Sequence, residues 1–177
     1  MMLEDLLAQK RDDILERWFR LIVETYPPGT TEFLRKGKNQ FRNPIGYTIR
    51  RETEVLYDEL VRPQDAEKLS ASLDSIIKIK SVQDFSPARA LAFVFFLKQA
   101  IRQELKNEIA EAKVLEELLA FELKIDELAL RAFDNYMKRR ERIYEIRVKE
   151  AQNERDRAFR MLQATNLAFK KVQGEDA

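Results

Sequence analysis

The stretch ALAFVFFL, residues 90–97, is apolar at every position. A helix of that composition has no polar face to offer water, so it belongs inside a bundle with other helices around it. It follows Ser86-Pro87, where serine is a favoured cap and proline at the first helical position loses no needed hydrogen bond. Beyond Lys98 the stretch turns amphipathic, with Ile101, Leu105 and Ile109 on one face. This reading makes residues 90–97 the central helix of an all-α bundle, gripped on every side.

Outward toward the N-terminus the chain is punctuated, because all five prolines lie between Pro27 and Pro87. A first helix is predicted from Leu3 to Tyr26. Its apolar stripe is Leu7, Ile14, Leu15, Trp18, Phe19, Ile22 and Tyr26. Glu4-Asp5 and Asp12-Asp13 read as charges near a helix N-terminus, where the backbone dipole favours them. Pro27-Pro28-Gly29 ends this helix, and a short helix or turn follows at Thr31 to Arg35. Asn43-Pro44 starts another helix, with Ile45, Ile49, Leu56 and Leu60 as its buried face. Arg62-Pro63 breaks it, and Asp65 caps a further helix carrying Leu69, Leu73, Ile76 and Ile77.

Outward toward the C-terminus nothing interrupts the chain, since no proline or glycine occurs from Ala88 to Gln173. A turn is expected within Lys106 to Lys113, with Asn107 as the C-cap. Val114 to Phe133 is amphipathic again through Leu115, Leu118, Leu119, Phe121, Leu123, Ile125 and Leu128. After Tyr136 the character shifts to dense charge of both signs. One helix from Val114 to Val172 would measure roughly 85–90 Å at the usual rise per residue. Residues 1–136 are therefore read as the bundle and residues 137–177 as a helical extension continuous with its last helix.

Composition limits the chemistry. Charged residues make up 36% of the 177, yet the net charge is +1. A balanced charge of this density marks solvated helices laced with ion pairs, not a basic nucleic-acid binder. The chain contains neither cysteine nor histidine. That argues against thiol catalysis, Ser–His machinery, the usual metal sites and conventionally ligated haem. The glutamates at 104, 108, 111, 116 and 117 lack the histidines of a helical di-iron site and read as surface charges. The glycines are scattered and form no phosphate loop. These features predict a protein that is not an enzyme, without cofactor or metal. The longest apolar run is too short to span a membrane, and no signal peptide is evident, so a cytoplasmic location is expected.

Two candidate sites remain. Alternating steps of three and four along the final helix pass through Met137, Glu141, Tyr144, Val148, Ala151, Arg155, Ala158, Leu162, Thr165, Phe169 and Val172. This is a heptad-like seam with two charged interruptions, and its apolar members are the expected surface for a homodimer or a partner signalling protein. The basic run Lys138 to Arg142 is interleaved with glutamates and reads as a solvated face. The second candidate is an apolar pocket against Phe93, Phe95 and Phe96, which would make the protein a binder of lipids or small apolar molecules. Core packing is the plainer account of those rings.

Four segments carry a family resemblance. They are ILERWFRLIVETYP from Ile14, FRNPIG from Phe41, SIIKIKSVQDFSPARALAFVFFLKQAIR from Ser75 and AFDNYMKRRERIYEIR from Ala132. Together they resemble the N-terminal domain of RsbR-type (RsbRD) proteins, co-antagonists of the bacterial stress-signalling complex called the stressosome. The resemblance implies a globin-like, non-haem helical dimer with a sensory or relay role in stress signalling. It also implies that the last helices of two protomers lie side by side as a coiled coil. The STAS output domain of such proteins does not appear before Ala177. The expectation is therefore a sensory or adaptor module that acts through its exposed C-terminal helix.

Overall fold

The computed structural model describes residues 2–36, 40–83 and 85–174. Its helices are α1 (Leu3–Gln9), α2 (Arg11–Val23), α3 (Pro28–Lys36), α4 (Pro44–Val61), α5 (Ala66–Val82), α6 (Pro87–Glu104) and α7 (Ala112–Gly174), with a short 3-10 turn at Glu108–Ala110. No strand occurs among the described residues. The fold is all-α and closes on a long helix, as the sequence predicted. The chain divides into two units, Met1–Met137 and Lys138–Ala177.

In the first unit α2 packs along α6 and α4 along α5. The core is drawn from the predicted apolar stripes, except that Leu115, Leu119, Leu123 and Phe133 of the stretch Val114 to Phe133 are exposed. Trp18, Ile22, Ile49, Leu56, Ile76, Ile77, Val94, Leu97 and Ile101 are completely enclosed. The polar tips of its large aromatics are satisfied. The Trp18 indole N–H donates to the Phe93 carbonyl at 2.6 Å, and the Tyr57 hydroxyl donates to the Leu7 carbonyl at 2.9 Å.

The predicted first helix is in fact two. It breaks at Lys10, whose backbone (φ −95°, ψ 12°) leaves the helical region. The break costs little because the Lys10 N–H still bonds the Leu6 carbonyl and its own carbonyl accepts from Ile14. Lys10 is also held from outside, with its ammonium 3.5 Å from the Glu104 carbonyl and 3.9 Å from the Glu108 carboxylate. Asp12 and Asp13 then occupy the first turn of α2, as Glu4 and Asp5 occupy that of α1.

The short third helix begins earlier than predicted. Pro28-Gly29 opens α3 instead of only closing the helix before it. Thr31 ties the two together through its hydroxyl, which donates to the carbonyls of Val23 (2.8 Å) and Tyr26 (3.0 Å). The start of α4 is as predicted: the Asn43 side chain accepts from the Gly46 N–H at 2.9 Å, with Pro44 next. Ile45, expected to be buried, is exposed. It shares the face of Ile49 and Leu56 but lies in the first turn of α4, ahead of the enclosed part of that face.

Asp65 caps α5 by accepting from Glu67 and Lys68, and Ser86 caps α6 by accepting from Arg89. The turn after α6 falls where expected, but its cap is Leu105 and not Asn107. Leu105 is fully buried, and its N–H bonds the Ile101 carbonyl; the core fixes the stop there. The larger correction concerns residues 90–97. Ala90, Leu91, Phe93, Val94 and Leu97 are buried, but Phe96 is only half-buried and Phe95 is 49% exposed. This helix is gripped on most of its circumference and open on one side.

In the second unit residues 138–174 are helical, and no residue whose side chain is described there is buried.

Candidate interaction surface

The seam residues behave as a solvent-facing row. Met137 sits at the threshold of exposure, and Tyr144, Val148, Ala151 and Ala158 are exposed. Leu162 is 64% exposed and Phe169 66%. Exposure of that size for large apolar side chains, spaced by threes and fours, is unusual on a helix that meets only water. The side chain of Val172 lies outside those described. Other exposed apolar residues of this unit, Ile146, Phe159, Met161 and Leu167, fall off the seam. Sequence stepping passed over them because they follow no single face.

Local contacts stiffen the row. The Arg140 guanidinium donates to the Tyr144 hydroxyl at 2.8 Å and lies 5.0 Å from its ring centre. Arg142 pairs with Glu145 at 3.1 Å, offsetting the like charge of Glu141 one turn before it. Arg155, one of the two charged interruptions, is drawn toward Asp156 at 2.9 Å.

The three candidate pocket rings differ in exposure. Phe93 is buried, with its backbone carbonyl accepting from Trp18, Phe95 is 49% exposed, and Phe96 packs partly against the core. Described clefts lie elsewhere, one against Tyr57, Asp58 and Arg62, another against Pro63, Leu69 and Leu128. Among the described residues no group of three or more carboxylates is arranged to hold a metal ion, and no helix is long and apolar enough to cross a membrane.

The sequence reading missed one feature of the first unit. Lys80 is 1% exposed, and its ammonium is held by aromatic groups. It donates to the Tyr26 hydroxyl at 3.0 Å and lies 4.4 Å from the Tyr26 ring centre and 5.1 Å from that of Phe85. The two rings meet edge to face at 5.3 Å. The Tyr26 hydroxyl donates in turn to Gln83 at 2.9 Å. Burial, helped by the positive charge of Arg89, pulls the Lys80 amine down to about 8. Burial also raises the Tyr26 phenol. The signal was present in the sequence: Lys80 continues the stripe Leu73, Ile76, Ile77 at the next helical step.

A second missed feature is Glu59. Its carboxylate accepts from the N–H groups of Gln64 and Asp65, both at 2.9 Å, and this holds the turn around Pro63. Those two bonds hold the pKa of its carboxyl below the usual carboxylate value.

Residues 12–151 match the family described as RsbT co-antagonist protein rsbRD N-terminal domain. No curated protein matches the chain, and no solved structure does.

Proposed function

The chain belongs to the RsbRD N-terminal domain family, and from that membership we propose that it is a non-enzymatic sensory or adaptor module that pairs with a second copy and relays a signal through α7. The family places the chain among stressosome-related signalling modules, where RsbR-type domains work with partner proteins. The observation that carries the finer reading is the exposed row from Tyr144 to Phe169. Large apolar side chains at that spacing gain most when a like helix covers them, because knobs and holes then repeat in register. Ala151 and Ala158 allow close approach of two backbones, while Glu141 and Arg155 weaken the seam. A pairing of modest strength results, and modest strength suits a relay whose two states must lie within a few kcal/mol of each other.

Sedimentation equilibrium of the full chain at tens of micromolar should give a dimer. The pair Ala158→Glu and Leu162→Glu should weaken it at least tenfold without lowering the unfolding temperature of the first unit. A wild-type monomer across that range would sink the reading. The alternative of an apolar ligand pocket at Phe93, Phe95 and Phe96 has less support, because the three rings differ in exposure.

A further inference from the structure

A knob of exposed apolar side chains stands at the junction of α3 and α4. Phe41, in the turn before α4, is 94% exposed; Phe33 on α3 and Ile45 in the first turn of α4 are exposed as well. Asn43 gathers the three. Its amide donates to the carbonyls of Leu34 (3.0 Å) and Phe33 (3.3 Å), and its carbonyl oxygen accepts from the Gly46 N–H at 2.9 Å. Phe33 is thus bonded through its backbone to Asn43, and Phe41 and Ile45 flank Asn43 in sequence on either side. Asn43 itself is buried, so the support beneath the knob is enclosed while the knob protrudes.

The charges of this segment have one sign. From Phe33 to Arg51 the sequence holds six basic residues and no acidic one. Four of the six are paired with carboxylates from outside the segment: Arg35 with Glu24, Lys36 with Glu32, Arg50 with Glu16 and Arg51 with Glu52. Arg42, next to Phe41, is exposed and forms no ion pair among the described residues. Arg20, which lies on α2 between Glu16 and Glu24, is likewise exposed and in no ion pair there. The surplus charge around the knob is therefore positive.

We propose that Phe33, Phe41 and Ile45, with Arg42 beside them, seat the first unit against an anionic lipid surface. The apolar side chains enter the boundary between headgroups and acyl chains, and the arginine meets the phosphates. A ring that protrudes as far as Phe41 suits a fluid boundary that yields around it, whereas a protein partner would need a pocket of matching shape. Buried apolar area and basic groups near the surface add together in holding a protein to an anionic membrane. The support by Asn43 helps, because side chains held in place beforehand lose little freedom on entering. The contact is peripheral, since no described helix is long and apolar enough to cross a membrane. It does not depend on pairing through α7.

The test uses the full chain and vesicles of phosphatidylcholine, with and without about one third phosphatidylglycerol, read by co-sedimentation. Binding is expected with the anionic vesicles only, and raising the salt from about 0.1 M to about 0.5 M should weaken it about tenfold. Phe41→Ala and Arg42→Glu, each alone, should weaken it by about tenfold or more. Their circular dichroism, and their dimer dissociation constant without lipid, should match wild type because both side chains are exposed. The exposed row on α7 is the competing contact, and the variant carrying Ala158→Glu and Leu162→Glu probes it. Vesicle binding kept by Phe41→Ala and lost by that variant would overturn the proposal and move the contact to the second unit. Binding that salt abolishes but Phe41→Ala leaves intact would overturn it too, as adsorption by charge alone. So would equal binding to neutral vesicles. Failure to bind either vesicle at about 1 mM lipid would overturn it outright and leave the pairing reading, measured without lipid, untouched.

Discussion

A lysine with its charge enclosed among rings is the least economical residue in this chain. An ammonium removed from water loses hydration that a phenol oxygen and two aromatic faces replace only in part. Burial therefore lowers Lys80 from 10.5 to about 8. Between these values the unfolded chain keeps its proton while the folded chain has released it. The unfolded state binds more protons there, so stability rises with pH from about 8 to about 10.5. Below about 8 the full penalty applies, on the order of 3 kcal/mol. The cation–π contacts and the bond to Tyr26 return about 1–2 kcal/mol of that. Lys80→Met should then be more stable than wild type by about 1–2 kcal/mol at pH 7, with most of that advantage gone by pH 10. Urea unfolding of both proteins at the two pH values measures it. A methionine variant that is less stable at pH 7 would show that the aromatic contacts outweigh the burial. The raised Tyr26 phenol acts in the opposite sense: above its usual 10 the unfolded chain ionises first, and stability falls as pH climbs. Comparing the two proteins at each pH separates the lysine from this background.

At the scale of elements, the chain advertises its caps and breakers and hides its open faces. Asn43-Pro44, Asp65 and Ser86-Pro87 each start a helix where their chemistry predicts, because a cap acts through two or three neighbouring residues. The segment at the head of α4 is tighter than a cap alone requires. A Cβ on Gly46 would come 2.4 Å from the Asn43 amide nitrogen and 2.8 Å from the Leu34 carbonyl oxygen. The same Asn43 amide donates to that carbonyl at 3.0 Å, so the side chain cannot simply swing away. Gly46→Ala should cost about 1–3 kcal/mol through forced displacement at this junction, read as a lower urea midpoint. An unchanged midpoint would mean that α3 and α4 separate freely there. What the sequence left hidden depended on distant partners. The break at Lys10 leaves the apolar period of α1 and α2 undisturbed, so periodicity could not reveal it. The open side of α6 depends on how many helices surround it, which residues 90–97 do not encode. The seam on α7 was legible as spacing. The exposed row Leu119 to Phe133 was legible only as apolar content, because a face turned to the core and one turned to solvent look alike until the bundle is assembled.

At the scale of the whole molecule, the two units draw their order from different sources. The first has a core of enclosed Trp, Tyr, Ile and Leu side chains, ample to hold its helices at any concentration. The second unit's 37 described residues, Lys138 to Gly174, contain no buried side chain among those described. Its internal support consists of contacts such as Arg142–Glu145 and Arg140–Tyr144, each contributing a few tenths of a kcal/mol. Support of that size leaves a solitary helix near the margin of stability, and a covered seam would move it well inside. Helicity of the second unit should therefore depend on protein concentration, and that of the first should not. Diluting the full chain from about 100 μM to about 1 μM should remove up to roughly a fifth of the far-ultraviolet helical signal, while near-ultraviolet dichroism from Trp18 in the first unit stays constant. In the variant carrying Ala158→Glu and Leu162→Glu the loss should set in at least tenfold higher in concentration. A helical signal independent of both dilution and those substitutions would mean that the charged helix holds itself, and pairing could not be the source of its order.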